Sequence, residues 1–272
     1  MTPIASDVLS EIDVDAFHRD GFLVRRGFLS AEQVAALVGT LERDAALHER
    51  AMPRLDGDGG AVELSVWNEP GDDSFGALAR SDRLVGAVTQ LLGDEVYHYH
   101  SKLNSKRPRS AGMWVWHQDY GYWYENGCLT PDMLTVAVPL SPMSRDNGCL
   151  ELLRGSHRCG RVDHARVGDQ HGADPERVAE IEARFEKVAF ESEPGDVMFF
   201  HCNVLHTSAG NDTDRSRELL LVAYNTKSND PTRPHHHAAY TPIDVLPDSD
   251  IMARSGVVMG ERRTFVPRRS AR

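Results

Sequence analysis

Between Glu95 and Asn225 the chain breaks into short strand-like runs separated by turn residues, and this spacing constrains the fold more than any other feature. The runs are Glu95 to Asn104, Trp114 to Asp119, Leu134 to Leu140, Cys149 to Leu153, Val197 to His201 and Leu219 to Asn225. Asp146-Asn147-Gly148 and Pro194-Gly195-Asp196 punctuate them with residues suited to tight turns. Short strands at this density predict a mainly β chain with flanking helices, built as a jelly roll or cupin-like double sheet.

Before Gly93 the pattern differs. Asp13 to Asp20 reads as a short helix stopped by Gly21 and followed by an apolar strand, Phe22 to Phe28. Ser30 opens a capping box with Gln33, and Val34, Leu37, Val38 and Leu41 give the next helix a 3.6-residue apolar stripe to about Leu47. Val62 to Trp67 is a further strand, and Ser81 caps a helix running to Leu92, with Gly93 as its stop. Pro175 to Phe185 reads as an exposed helical insertion. With no repeat or linker in view, residues 1–272 are expected to form one domain. Residues 1–93 would be a mostly helical part packed on the barrel, 94–228 the jelly-roll core and 229–272 a C-terminal loop and tail.

The net charge of −11 gives no electrostatic footprint for nucleic acid. No run approaches the roughly 18 apolar residues of a spanning helix, and the N-terminus has no basic segment followed by an apolar one, so neither a membrane nor a signal peptide is expected. Cys128, Cys149, Cys159 and Cys202 make no C-x-x-C pair, which suits free thiols in a reducing cytoplasm. A monomer or homodimer is expected.

The chemistry centres on Trp116-His117-Gln118-Asp119-Tyr120. On an extended strand His117 and Asp119, two apart, point to one face and offer an imidazole and a carboxylate to the same space. With a distant second histidine they would make a 2-His-1-carboxylate triad, which leaves open positions on a ferrous iron. His206, after the apolar strand Val197 to Phe200, supplies it. Arg217 then enters the apolar run Leu219 to Ala223, where a guanidinium is costly unless an anion meets it. Ser208 can turn a hydroxyl toward the same anion, and Arg215 competes with Arg217 for the role.

Several of these pieces occur in one order: Trp116-His117-Gln118-Asp119, Asp146-Asn147-Gly148-Cys149-Leu150 with Gly155-Ser156-His157, Pro194-Gly195-Asp196 with His206-Thr207-Ser208, then Asn211 and Arg217. Together with the opening Asp20-Gly21-Phe22-Leu23 and Leu29-Ser30, the set resembles the phytanoyl-CoA dioxygenase family of Fe(II)/2-oxoglutarate-dependent oxygenases over nearly the whole chain. The resemblance implies a double-stranded β-helix, iron held by His117, Asp119 and His206, and 2-oxoglutarate on that iron with its far carboxylate at Arg217 and Ser208. It extends to bacterial small-molecule hydroxylases such as those of ectoine and free amino acids. There, Ser101 to Lys106 matches a strand whose Asn helps hold 2-oxoglutarate, which brings Asn104 and Lys106 to the cosubstrate. His98, His100, Lys102 and Asn104 are expected on one face of this strand, with His100 and Lys102 placed for a substrate anion.

Family-like halogenases replace the triad carboxylate by a small residue, so the presence of Asp119 points to hydroxylation with O2 as oxidant. Tyr120, Tyr122, Trp123 and Tyr124 crowd one stretch of a chain that is 7% aromatic, and Trp123 and Tyr120 are candidate walls of a small-molecule pocket. No basic cluster for a CoA phosphate is evident. His235-His236-His237, just after Pro231 and Pro234, is expected to be a solvated or lid-like loop rather than a metal site, and the Arg-rich stretch from Arg254 to Arg272 either returns over the barrel or stays mobile. Two other readings stand beside the oxygenase: a cupin-like metal isomerase or hydrolase without 2-oxoglutarate, which does not need Arg217, and a non-catalytic jelly roll with a vestigial triad.

Overall fold

In a computed structural model, which describes residues 2–56 and 60–266, the strands form two facing antiparallel sheets. In chain order they are β1 (Phe22–Arg25), β2 (Met52–Leu55), β3 (Ala61–Trp67), β4 (Val96–Lys106), β5 (Trp114–His117), β6 (Met133–Pro139) and β7 (Glu151–Leu153). There follow β8 (His164–Val167), β9 (Gln170–Ala173), β10 (Lys187–Ala189), β11 (Val197–His201), β12 (His206–Ser208) and β13 (Arg217–Thr226). The larger sheet runs β1-β11-β6-β13-β4-β3-β2, the smaller β10-β7-β12-β5, and β8 pairs only with β9. The helices are α1 (Glu11–Asp20), α2 (Ala31–Arg43), α3 (Ala46–Glu49), α4 (Ser74–Ala79), α5 (Asp82–Leu92), α6 (Asp119–Trp123), α7 (Pro175–Glu182) and α8 (Asp250–Ala253).

Strand alternation divides the larger sheet cleanly. Val136, Val138, Phe199, Leu220 and Val222 point outward and pack with Phe17, Leu37, Leu84 and Val88 of the helical layer. Their neighbours Ala137, Met198, Phe200, Leu219 and Leu221 point inward against Leu150 and Leu152 of the smaller sheet. The helix boundaries follow the sequence signals. Ser10 and Ser30 each close a capping box, Ser81 caps α5, and Gly21 and Gly93 end their helices in the left-handed conformation that glycine adopts without strain.

Three expectations need correction. The N-terminal third is rich in helices that pack on the larger sheet, but it does not only lie against the barrel: β1 and β3 are built into that sheet, pairing with β11 and β4. β1 stops at Arg25 rather than Phe28, because Asp196 takes the Gly27 N–H and the Arg26 guanidinium and turns the chain. α7 is amphipathic rather than exposed, burying Val178 and Ile181 against Leu153, Val162 and Leu205. Helix α4 and the β8–β9 hairpin had no expectation at all.

The segment after β13 returns over the helical side. α8 buries Ile251, Val266 donates its N–H to the Val66 carbonyl, and Arg263 is buried over the Trp67 ring between Asp44 and Asp73. Residues 267–272 of the Arg-rich tail lie outside the described residues. No helix of the described residues is long and apolar enough to cross a membrane.

Candidate active site

The two sheets bring His117, Asp119 and His206 together: one ligand atom from each lies within 4.8 Å of the others. His117 ends β5 and His206 begins β12, and the two are direct partners in the ladder. Asp119 is not on the strand, as expected, but is the first residue of α6. The convergence survives because Gln118 between them keeps an extended backbone. Gln118 is completely buried and clamped, donating to the carbonyls of Gly160 and Asn203 and accepting from the Val162 N–H. Its own N–H donates to His164 Nε2 at 3.0 Å. Gly121 makes that approach possible, since a Cβ there would lie 2.3 Å from the His164 ring.

Each ligand is oriented by a second contact. His117 Nδ1 donates to the Val115 carbonyl at 2.8 Å and His206 Nδ1 to the Val204 carbonyl at 2.9 Å. A carbonyl only accepts, so both rings carry their proton on Nδ1 and present the Nε2 lone pair to the site. Burial holds both imidazoles neutral, pushing their pKa values down. Asp119 accepts from the Thr135 hydroxyl at 2.7 Å and from Lys102 Nζ at 3.2 Å. Burial would raise its pKa, but Lys102 and the Thr135 hydroxyl outweigh it and hold the carboxyl ionised. Two neutral nitrogens and one carboxylate, with the other side of the trio facing a wall of donors, fit a ferrous ion with open positions.

Arg217 is 1% exposed and faces the barrel interior from β13. Its Nη1 donates to the carbonyl and side-chain oxygens of Asn104, while Nε has no partner, and no acidic side chain among the described residues pairs with it. Ser208 Oγ is likewise buried without a partner. A buried guanidinium and hydroxyl lacking acceptors match the carboxylate of a cosubstrate. Arg215 is exposed and drops out as a competitor. Lys106 pairs in register with Arg217, but its Nζ is turned to the carbonyls of Ser208 and Ala209. Burial, and then Arg217, push its pKa down to about 6.

The strand bearing Asn104 does not place its histidines as alternation alone predicts. A bulge at Tyr99 shifts the β4–β13 register, so that His100 pairs with Ala223 but His98 with Tyr224. His98 therefore turns outward against the Tyr224 ring, whereas His100, Lys102 and Asn104 face inward. The aromatic stretch also divides. Trp123 packs against His100 and lies 5.8 Å from Lys102 Nζ, at the site. Tyr120 turns away and gives its hydroxyl to the Cys128 carbonyl, so it is core rather than wall. Tyr122 takes that place, its ring 5.9 Å from His117. Thr135 and His164 carried no motif, and only the structure brings them to the triad. The His235 to His237 loop joins no metal cluster among the described residues but packs by its rings on Tyr99 and His100. A cleft of about 470 Å³ between Val115, Trp116 and α7 lies on the other face of the smaller sheet, and none of the triad lines it.

Residues 17–219 match the model of the phytanoyl-CoA dioxygenase (PhyH) family. The L-proline trans-4-hydroxylase of Streptomyces griseoviridis is 30% identical over 80% of this chain and 87% of its own length. The ectoine dioxygenase of Bordetella bronchiseptica is 30% identical over 82% of this chain and 78% of its own. The crystal structure of EctD from S. alaskensis with 2-oxoglutarate and 5-hydroxyectoine superposes with a TM-score of 0.73 and 26% identity, covering 91% of this chain and 93% of that one. The two facing sheets are thus the double-stranded β-helix of a known oxygenase fold. With its triad and buried arginine in place, the chain belongs to the phytanoyl-CoA dioxygenase family and is an Fe(II)/2-oxoglutarate-dependent dioxygenase.

Proposed function

We propose that this enzyme hydroxylates a C–H bond of a small polar metabolite of amino-acid type, with iron held by His117, Asp119 and His206. The single observation that carries the ligand assignment is the shared geometry of two Nδ1-protonated imidazoles and an ionised carboxylate at 4.8 Å or less. Arg217, Ser208 and Asn104 anchor 2-oxoglutarate, and Lys106 holds the Ser208 backbone beside them. Iron and cosubstrate together supply the oxidation, O2 being consumed with release of succinate and CO2 as the substrate gains a hydroxyl.

The protein's own work is placement and exclusion of water. Thr135 fixes the Asp119 carboxylate, Tyr122 covers His117, and Trp123, Lys102 and His100 hold the substrate end. An amino-acid-type substrate fits because the pocket offers one ammonium, one imidazole and an aromatic wall. It also fits the activities of the relatives, on proline and on ectoine. We further infer one domain, acting in the cytoplasm as a monomer or homodimer. Free sulfhydryls on all four cysteines suit that compartment.

The test is spectroscopic. Apoprotein given Fe(II) and then 2-oxoglutarate without oxygen should develop the weak visible charge-transfer band of the chelate, and His206→Ala should not. Iron uptake without a band would defeat the cosubstrate assignment and leave a metal site of another kind.

A further inference from the structure

His100 is 1% exposed, and neither ring nitrogen has a hydrogen-bond partner. Burial, and then the neighbouring His237, keep it neutral. A neutral imidazole offers one N–H and one lone pair, and leaving both unused in the interior is costly, so the site is incomplete without a ligand. What holds His100 comes from outside the jelly roll. His237 stacks on it with centroids 4.2 Å apart and planes at 28°.

Three further contacts seat this segment. His237 Nδ1 donates to Asn68 Oδ1 at 2.9 Å, Asn68 Nδ2 donates to the His236 carbonyl at 2.6 Å, and His235 Nε2 lies 2.9 Å from the Tyr99 hydroxyl. Trp123 closes the opposite edge of His100 at 5.7 Å, and Lys102 extends from the same strand face to within 3.2 Å of Asp119. An ammonium and an imidazole N–H thus share one wall next to the triad. An ammonium on the substrate would meet Lys102 as a like charge, whereas a carboxylate only accepts and suits both donors.

Building on the dioxygenase reading above, we propose that the segment from His235 to His237 takes part in substrate recognition. His237, fixed by Asn68, is a positioning residue that sets the His100 ring so that it and Lys102 receive a carboxylate of the substrate. The enzyme then selects for an anionic end through a residue that its barrel strands do not carry.

The experiment uses the twenty free L-amino acids and their carboxamides as probes, read by substrate-dependent succinate release, with the charge-transfer band as control. The best amino acid should exceed its carboxamide at least tenfold in kcat/KM. His237→Ala should raise KM about tenfold, the loss of one hydrogen bond to a charged group, with kcat within about twofold and the band intact. His237→Phe keeps the stacked ring and should return KM most of the way. Equal use of acid and carboxamide, an unchanged KM in His237→Ala, or a fall in kcat alone overturns the proposal. So does loss of the band in His237→Ala, which would make the segment part of the fold only. A band with no amino acid turned over rejects the carboxylate assignment alone, while absence of the band in the unaltered enzyme rejects the dioxygenase reading with it.

Discussion

Arg217 Nη1 donates to both oxygens that Asn104 offers, the backbone carbonyl at 3.1 Å and the side chain at 3.2 Å, across the β4–β13 ladder. Asn104 thereby fixes the guanidinium in a dry interior with Nε left for a ligand. Arg217→Ala should weaken 2-oxoglutarate binding by about a hundredfold, the loss of two charge-assisted hydrogen bonds, and Asn104→Ala by about tenfold. Titration of the charge-transfer band with 2-oxoglutarate measures both. Unchanged affinity in Arg217→Ala would move the cosubstrate anchor elsewhere.

The Thr135 hydroxyl donates to Asp119 Oδ2 while Lys102 holds Oδ1, so Thr135 helps fix the plane in which the carboxylate meets iron. Partners of this kind cost roughly ten- to a hundredfold in metal affinity when removed. Thr135→Val preserves shape and should weaken Fe(II) binding by about tenfold while leaving thermal stability of the metal-free protein nearly unchanged. Competition against a chelator reads the first, and a melting curve the second.

Burial lowers the pKa of His98 to about 4 and that of His201 to about 3. In the unfolded chain both titrate near 6.5. Between those values the unfolded state binds more protons, so their contribution is complete above pH 6.5 and is lost as pH falls through 4 toward 3. The urea midpoint should decline below about pH 6.5. His98→Asn should make that decline shallower, and an unaltered slope would mean that His98 is not the buried neutral group described.

Arg263 pairs with Asp73 and Asp44, all three essentially without exposure. Arg263→Ala leaves two carboxylates buried without their cation and should cost about 3 to 5 kcal/mol. The readout is the denaturant midpoint of the variant against the parent. A change below about 1 kcal/mol would mean that the two aspartates take up protons at little cost.

The site was legible where chemistry overrides local structure. Two ligands two residues apart, a distant histidine and a cation entering an apolar strand are costly arrangements, so their presence in the sequence is informative. Asn104 and Lys102 followed from strand alternation and kept their faces. His98 did not, because one extra residue at Tyr99 reverses every side chain on one side of it, and no turn residue announces the bulge. Tyr120 and Tyr122 exchanged roles for a related reason: the strand ends at His117 and the aromatics ride on a helical turn. Thr135 was invisible because a threonine in an apolar strand is ordinary until its partner is known.

The burial of Arg263 also bears on the order in which the protein is made. This guanidinium fills the space between two aspartates that are synthesised some 190 residues or more earlier. A nascent chain that already carries all three iron ligands, the cosubstrate arginine and every strand of both sheets still lacks the counter-ion of its own interior. Until translation has passed residue 263, the nascent chain carries the same penalty as Arg263→Ala, about 3 to 5 kcal/mol, a large share of the net stability of a single domain.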